Sequence, residues 1–400
     1  MNDVVLAYAG VHQIFQLALA AHEIGELEGL FCSIVDGDGK WGRRLGKLAP
    51  SGTVRPLGWE SLPSSKVREY PWPLFVNRMF KKYLTIRITE HRWSNAWFDR
   101  AASRWLRQHP ARIFVGSETC ALDSLGLAGA MGMKRVLDCP GIPAQVLDEE
   151  TRRAAAAFGV NIALSSNSAA MRERKRLELA QADMVLCCSE FQRGHLLALN
   201  PGVKRTEVIP LWADVDFWSG VVAEREFSRP GQPLRVLYAG AVSLKKGVPY
   251  LLEAVEPMAS QVTLTLVGEL SPEMPNILKR FRSHRSLPYL PKNELRGLYR
   301  EHDVLVMPTL GDSFGFVMVE AMASGLPVIA SQNAGAPVPD EDWRVPPHDA
   351  EAIRHRLLAY HADREKLNQD GKLAASFAAQ FTPERYRARA GELFKELLKA

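Results

Sequence analysis

Residues 307–331 read MPTLGDSFGFVMVEAMASGLPVIAS, and the fold turns on this stretch. It opens on the end of an apolar run, Val304-Leu305-Val306-Met307, which predicts a buried strand closed by Pro308. A turn follows with two glycines, Gly311 and Gly315, and one carboxylate, Asp312. From Phe316 the apolar spacing becomes helical through Val317, Val319, Met322 and Ala323, with Glu320 in the same helix. Gly325 and Pro327 end that helix, and Pro327-Val328-Ile329-Ala330 begins another strand. Strand, glycine turn, helix and strand make a βαβ unit whose helix N-terminus offers unpaired N–H groups to an anion. Asp312 in the turn and Glu320 on the helix suit one polyhydroxylated ligand whose phosphates meet that N-terminus. An ordinary βαβ unit with a surface Asp and a capping Glu satisfies the same spacing.

Working outward, the same alternation recurs on both sides. Towards the N-terminus, residues 3–9 form an apolar run ending at Gly10, residues 14–30 have helical spacing, and residues 31–35 predict a second strand. Strand-like runs return at 113–116, 135–138, 184–188 and 207–210, with a small-residue helix between the first two and a charged helix over 172–180. After residue 233 the pattern restarts with Leu234-Arg235-Val236-Leu237-Tyr238-Ala239-Gly240. Strands are predicted at 262–267, 286–290, 304–307 and 327–330, and helices at 249–258, 292–300, 316–324, 350–361 and from Pro383 onward. This order predicts an α/β protein of two Rossmann-like, doubly wound domains. The expected division is a first domain over 1–212, a linker over 213–233, a second domain over 234–381, and a C-terminal helix over 382–400. Parallel sheets bind ligands beyond the carboxyl ends of their strands, which nominates Gly10 and His12. A solvent-facing His12 at a helix start is an equally good reading.

Residues 40–110 are the least regular part, broken by Pro50, Pro56, Pro63, Pro71 and Pro73. Residues 78–107 are basic, aromatic and mostly helical in period, and Trp93, Trp97 and Trp105 fall near one helix face. A core-facing stripe with a solvated basic face explains them. A helix lying against an anionic membrane, or gripping an acidic or lipid-linked acceptor, is the functional alternative. No nucleic-acid motif accompanies these aromatics.

At 400 residues, with 46% hydrophobic and 24% charged residues, the chain has the balance of a two-domain globular protein. A net charge of +5 suits an anionic ligand but is too small to argue for nucleic acid. Five cysteines show no metal-like spacing, and adjacent Cys187 and Cys188 are expected to be core thiols. No apolar stretch approaches the roughly 18–20 residues of a membrane span. The chain opens at once on strand-like DVVLAYAG, so the expected compartment is the cytoplasm, with contact at the inner face of a membrane left open. Metal-binding His spacing, an adjacent carboxylate pair and a Ser–His–Asp arrangement are not readable.

The opening stretch resembles the donor-site signature of retaining GT-B glycosyltransferases of family 4, also called glycosyl transferases group 1. Asp312, Ser313-Phe314-Gly315-Phe316, Glu320 and Ala321-Met322-Ala323-Ser324-Gly325-Leu326-Pro327-Val328 carry the resemblance. Asp312 stands where the family more often has Glu. Gly240-Ala241-Val242-Ser243-Leu244-Lys245-Lys246-Gly247 is similar to the family's diphosphate loop: Lys246-Gly247 match, and Ala241 replaces an Arg. In the first half, Ala182-Asp183-Met184-Val185-Leu186…Ser189 and Val208-Ile209-Pro210…Asp214 resemble the acceptor-side domain. The His that many members carry after residue 138 is missing from Asp138-Cys139-Pro140-Gly141.

The resemblance implies GT-B architecture, with the two domains facing across a cleft and the helix over 382–400 able to cross back to the first domain. It also implies a nucleotide-diphosphate-sugar donor, retention of anomeric configuration, and no cofactor or metal. Lys246, supported by Lys245, would neutralise the diphosphate near Gly240. Backbone amides of Phe314, Gly315, Phe316 and Val317 would meet sugar and phosphate, with Ser313 in the same turn. Asp312 would hold sugar hydroxyls, Glu320 the ribose, and residues 287–290 the base. Asp312, Glu320 and Lys246 are thus the catalytic candidates, and Gly10 and His12 the acceptor-side ones. The acceptor is open between a glycan, a lipid-linked sugar and a small molecule, within glycan or polysaccharide biosynthesis. A sugar-nucleotide epimerase or hydrolase, or a non-catalytic sugar-nucleotide-binding module, keeps the same fold.

Overall fold

The structure is a computed structural model that describes residues 3–10, 14–33, 62–73, 75–77, 92–162, 164 and 169–399. Two separate parallel sheets organise it. The first holds β1 (Val4–Tyr8), β2 (Leu27–Cys32), β3 (Val67–Glu69), β4 (Ile113–Ser117), β5 (Lys134–Asp138), β6 (Met184–Cys187) and β7 (Thr206–Val208), in the order β3-β2-β1-β4-β5-β6-β7. The second holds β8 (Leu234–Ala239), β9 (Val262–Val267), β10 (Arg285–Leu287), β11 (Val304–Met307), β12 (Val328–Ser331) and β13 (Arg344–Val345), in the order β10-β9-β8-β11-β12-β13. Helices cover both sheets, so central strands are apolar at successive residues instead of alternating: Val4, Val5 and Leu6 are all fully buried, as are Val304, Leu305 and Val306. Strand order reverses at β1/β4 and at β8/β11, the two switch points where such sheets place ligands. Both halves are therefore doubly wound α/β units.

A shared device registers the central strands. Asp183, just before β6, takes the Arg135 guanidinium of β5 at 2.8 and 2.9 Å, and this bond holds its carboxyl below the ordinary range. Asp303, just before β11, does the same for Arg235 of β8, the closest contact being 2.7 Å. It also takes the Ser228 hydroxyl at 2.7 Å, so this fully buried carboxylate is satisfied on several sides.

Several elements depart from the sequence expectation. The strand expected over 286–290 is Arg285–Leu287, because Pro288 has no N–H to extend the ladder. The helix expected over 249–258 is Val248–Val255 followed by a 3-10 turn, Glu256–Met258, since Pro257 interrupts the α-helical bonding. The charged helix over 172–180 extends to Ala169–Gln181. Helices Ala144–Phe158 and Arg364–Ala378 were not anticipated. The first buries Ala144, Thr151, Ala154 and Phe158, and the second buries Leu367, Gly371, Ala374 and Ala378 beside the polar Arg364 and Asp370, so small and polar residues dilute the hydrophobic period of each.

Residues 213–233 are more than a connector. Asp214 caps helix Val215–Ser219 by accepting the Phe217 N–H at 3.3 Å, and Trp218 is 1% exposed against Tyr299. Arg225 donates to the carbonyls of His302 at 2.8 Å, Ser324 at 3.0 Å and Tyr299. The tryptophan stripe also divides. In helix Arg92–Leu106, Trp105 packs on Phe31 inside, whereas Trp97 stacks on Trp93 and is 36% exposed. Residues 78–91, the rest of the proposed basic helix, lie outside the described residues.

Helix Pro383–Lys399 lies against helix Ile14–Glu23 of the first domain. Gly391 permits the approach, since a Cβ there would sit 3.0 Å from Ile24. Arg387 donates to Glu23 at 2.7 Å and Gln16 at 2.9 Å, and Lys134 Nζ donates to the Leu397 carbonyl at 2.8 Å. That last contact places a cation on the helix C-terminus.

Candidate active site

Strand β11 delivers the chain to Pro308, and the turn that follows is pinned from two directions. On one side, Asp312 N–H donates to the Asn333 carbonyl at 2.9 Å, and Gly335 N–H to the Asp312 carbonyl at 2.9 Å. On the other, Leu310 N–H donates to the Lys245 carbonyl at 3.0 Å. Gly247 allows this second clasp: its φ is +68°, and a Cβ would lie 1.8 Å from the Pro308 carbonyl oxygen. The loop of Gly240 and Gly247 is thereby drawn onto the turn. Lys246 Nζ then reaches Asp312 Oδ2 at 2.5 Å. The two motifs read separately from the sequence form one ion-paired unit.

Gly315, with φ +86°, occupies the cap position of helix Phe316–Ala323, where no side chain caps the free N–H groups. Phe314 is buried and meets the half-exposed Phe316 edge-on. One turn further on, Glu320 faces a cavity of about 360 Å³, shared with Gly240, Gly268, Tyr289, Lys292 and Val317. Gly268 is required there because a Cβ would fall 1.9 Å from the Gly240 carbonyl oxygen. Burial pushes the Glu320 carboxyl up to about 7, against the pull of Lys292 and a 3.5 Å contact with the Tyr299 hydroxyl. Tyr289 stands 70% exposed at the rim, an aromatic face available for stacking.

The candidates thus separate into groups. Gly240, Val317 and Glu320 line the cavity, while Lys246 and Asp312 form the ion pair and Lys245 supplies the clasping carbonyl. Ser313 turns towards the first domain. Its hydroxyl donates to the Pro140 carbonyl at 2.9 Å, and its carbonyl accepts from Ser189 Oγ at 2.6 Å and Cys188 Sγ at 3.2 Å. Gly335 makes room, since a Cβ there would lie 2.0 Å from the Ser313 carbonyl oxygen. The segment 138–141, where the expected His is missing, is therefore where the Asp312 turn touches the first domain. All five cysteines are free and buried, and burial pushes Cys187 and Cys188 up to about 12.

Across from the turn, the first domain carries a pocket of about 300 Å³ at the carboxyl ends of its strands. Tyr8, Gly10, Ser33, Asn95, Thr119 and Pro140 contribute to it. Gly10 is thus on its wall, whereas His12 lies outside the described residues. Sequence reading missed Ser33, Asn95 and Thr119, although Ser33 directly follows β2 and Thr119 lies two residues past the end of β4. Polar residues just past a strand's carboxyl end were the available signal. Among the described residues, no group of His, Cys, Asp and Glu has a metal-binding arrangement. No helix among them is long and apolar enough to cross a membrane.

Residues 233–363 match the family described as "Glycosyl transferases group 1". The second domain is a group 1 glycosyltransferase domain. D-inositol 3-phosphate glycosyltransferase of Corynebacterium jeikeium is 29% identical over 215 residues, which is 48% of this chain and 51% of that protein. The chain spans about half the length of the curated relatives it matches. Sucrose-phosphate synthase from Thermosynechococcus elongatus superposes with a TM-score of 0.65 at 18% identity, covering 100% of both chains. Anabaena HepE, solved in complex with UDP, gives 0.62 at 14% identity over 99% of this chain and 100% of that one. These likenesses extend the fold beyond the group 1 glycosyltransferase domain to the whole chain, and the architecture is GT-B.

Proposed function

We propose that the chain is a glycosyltransferase moving a sugar from a nucleotide-diphosphate sugar to a hydroxyl acceptor. The observation that carries this reading is the joining of the two motifs, Lys246 on Asp312, beside an uncapped helix N-terminus and the Glu320 cavity. A nucleoside in that cavity has Tyr289 for its base and Glu320 for its ribose hydroxyls. Its diphosphate then faces Gly240 and the N–H groups of Gly315, Phe316 and Val317, an anion site by dipole and by donors. Lys246 is shared between Asp312 and the diphosphate, which couples sugar recognition to leaving-group charge.

The reaction breaks the bond between the anomeric carbon and the diphosphate oxygen and forms one to the acceptor oxygen. The acceptor's proton passes to the departing diphosphate. Positive character develops on the sugar and negative charge on the leaving group, so donors aimed at the diphosphate stabilise the transition state more than the ground state. Lys246, Lys292 and the helix amides are the chain's own groups for that task, and the proposal requires neither cofactor nor metal. Same-face attack with retention agrees with the family resemblance. The acceptor enters from the first domain, whose contact at Ser313 keeps its pocket next to the donor turn.

The test is a thermal-shift screen of nucleoside diphosphates and their sugars, with Mg²⁺ and with chelator, followed by product analysis. A ligand specific for the native state raises Tm with the logarithm of its concentration over Kd. At least one nucleotide is expected to do so in chelator. Product formed from the donor without any acceptor, as fast as with one, points instead to a hydrolase or epimerase.

A further inference from the structure

Thr119 carries an unusual backbone for a β-branched residue, with φ at +77°. Such strain persists only where the surroundings over-determine it. Three bonds do so here. Its N–H donates to Glu178 Oε2 at 2.6 Å, its carbonyl accepts from Arg174 Nε at 2.7 Å, and its hydroxyl accepts from Asn95 Nδ2 at 2.8 Å. Glu178 Oε1 also takes the Ala121 N–H at 3.0 Å. Behind this turn Arg174 pairs with Glu178 at 3.2 Å and with Asp99, which holds the N–H groups of Asp123 and Ser124. Glu178 and Asp99 have fully buried side chains. A buried ion network contributes little net stability against its desolvation cost. Its visible product is the conformation of Thr119.

That turn is one wall of the first-domain pocket, and a second observation points to a ligand there. Ser33, 1% exposed, lines the same pocket, and its Oγ has no hydrogen-bond partner among the described residues. The charged side chain among the described lining residues is Glu118, which is tied to Lys175 at 2.8 Å. A phosphorylated group would meet no free cation among them, whereas neutral hydroxyls meet hydroxyl, amide and backbone partners. Pro140, which takes the Ser313 hydroxyl, lines the pocket as well and sets it beside the donor turn.

We propose that this pocket takes the acceptor as a single neutral sugar ring or polyol, with Ser33 and Thr119 selecting the hydroxyl that is presented. Arg174 and Glu178 are positioning residues that act through Thr119. The proposal rests on the glycosyltransferase reading and deepens it by naming the acceptor's chemistry.

The experiment follows nucleoside diphosphate release by the full chain from the nucleotide sugar that raises Tm most. Probes are methyl α-D-glucoside, methyl α-D-mannoside and myo-inositol, with glucose 6-phosphate as the charged counterpart. In the wild type at least one neutral probe changes the release rate saturably, and the phosphate does not. Thr119→Gly raises the half-saturating probe concentration about fivefold or more, the loss of one good hydrogen bond. It keeps Tm close to wild type, because glycine accepts a positive φ without strain. Thr119→Ser, which retains the hydroxyl, restores the wild-type response, and Glu178→Gln moves half-saturation in the same direction as Thr119→Gly. A folded Thr119→Gly that responds like the wild type overturns the proposal, as does a response to the phosphate alone. If nucleotides bind and turn over but no neutral probe acts, the acceptor assignment fails by itself. If no nucleotide binds or turns over, the glycosyltransferase reading fails and takes this one with it.

Discussion

Lys246 and Asp312 are 66 residues apart in sequence and 2.5 Å apart in the fold. Each was legible as a candidate, one from a lysine loop and one from a glycine turn, but their pairing was not. It depends on Gly247 meeting Pro308, a contact between two loops that no local period records. Lys246→Ala removes the cation and leaves a half-buried carboxylate unpaired, so nucleotide affinity should fall about tenfold or more; a Kd equal to wild type by calorimetry contradicts the pairing's role. Glu320 gives a pH signature. Its native carboxyl titrates near 7, above the ordinary Glu range, so folding takes up a proton between those values. The stability this group contributes is present at low pH and is lost as pH rises through about 7. Glu320→Gln cannot ionise, so its Tm should gain on the wild type from about pH 5 to about pH 8; a pH-independent difference counts against a buried Glu320. Ser33 and Thr119 were missed for another reason. A serine after a strand is common, and only the fold shows that one hydroxyl is orphaned and the other residue strained.

At the scale of elements, long apolar strands were legible because both faces of a parallel sheet are covered and every residue is hydrophobic. Strands β8, β9 and β11 begin and end within a residue of their expected places, whereas β10 stops at Pro288 and the strand expected over 31–35 is β2, Leu27–Cys32. Helices Ala144–Phe158 and Arg364–Ala378 were missed because a single large apolar residue each, Phe158 and Leu367, marks a buried face otherwise made of small and polar residues. Residues 213–233 hold more structure than their composition prints. Prolines, glycines and charges looked like a linker, yet Trp218 and Arg225 are seated in the second domain. Gly247 is the element-scale test. Adding a methyl group at its positive φ, 1.8 Å from the Pro308 carbonyl oxygen, forces the loop off the turn. Gly247→Ala should destabilise the chain by about 2 kcal/mol or more and also abolish stabilisation by nucleotide. Retained nucleotide stabilisation in a destabilised Gly247→Ala would separate the loop from donor binding.

Over the whole molecule, two GT-B domains meet where the donor turn touches the ends of β5 and β6. Ser313 bridges to Pro140 and Ser189 inside the cleft. On another face His348 bonds Glu150 of the first domain and Tyr250 of the second, and Arg280 donates to the Phe158 carbonyl at 3.1 Å. Helix Pro383–Lys399 closes the arrangement by returning to the first domain. Phe394 of that helix is fully buried, so Phe394→Ala should lower stability by about 3 kcal/mol while leaving nucleotide affinity intact. Chemical denaturation and calorimetry on one preparation check both halves of that statement. The proposed function requires the second domain to hold a nucleotide-diphosphate sugar through Lys246, Asp312 and Glu320. Calorimetric titration of the full chain with nucleoside diphosphates and nucleotide sugars tests it most directly. The account predicts saturable binding of at least one of them, weakened by both Lys246→Ala and Glu320→Ala. Absence of binding by every nucleotide, or binding indifferent to both substitutions in folded protein, would contradict it.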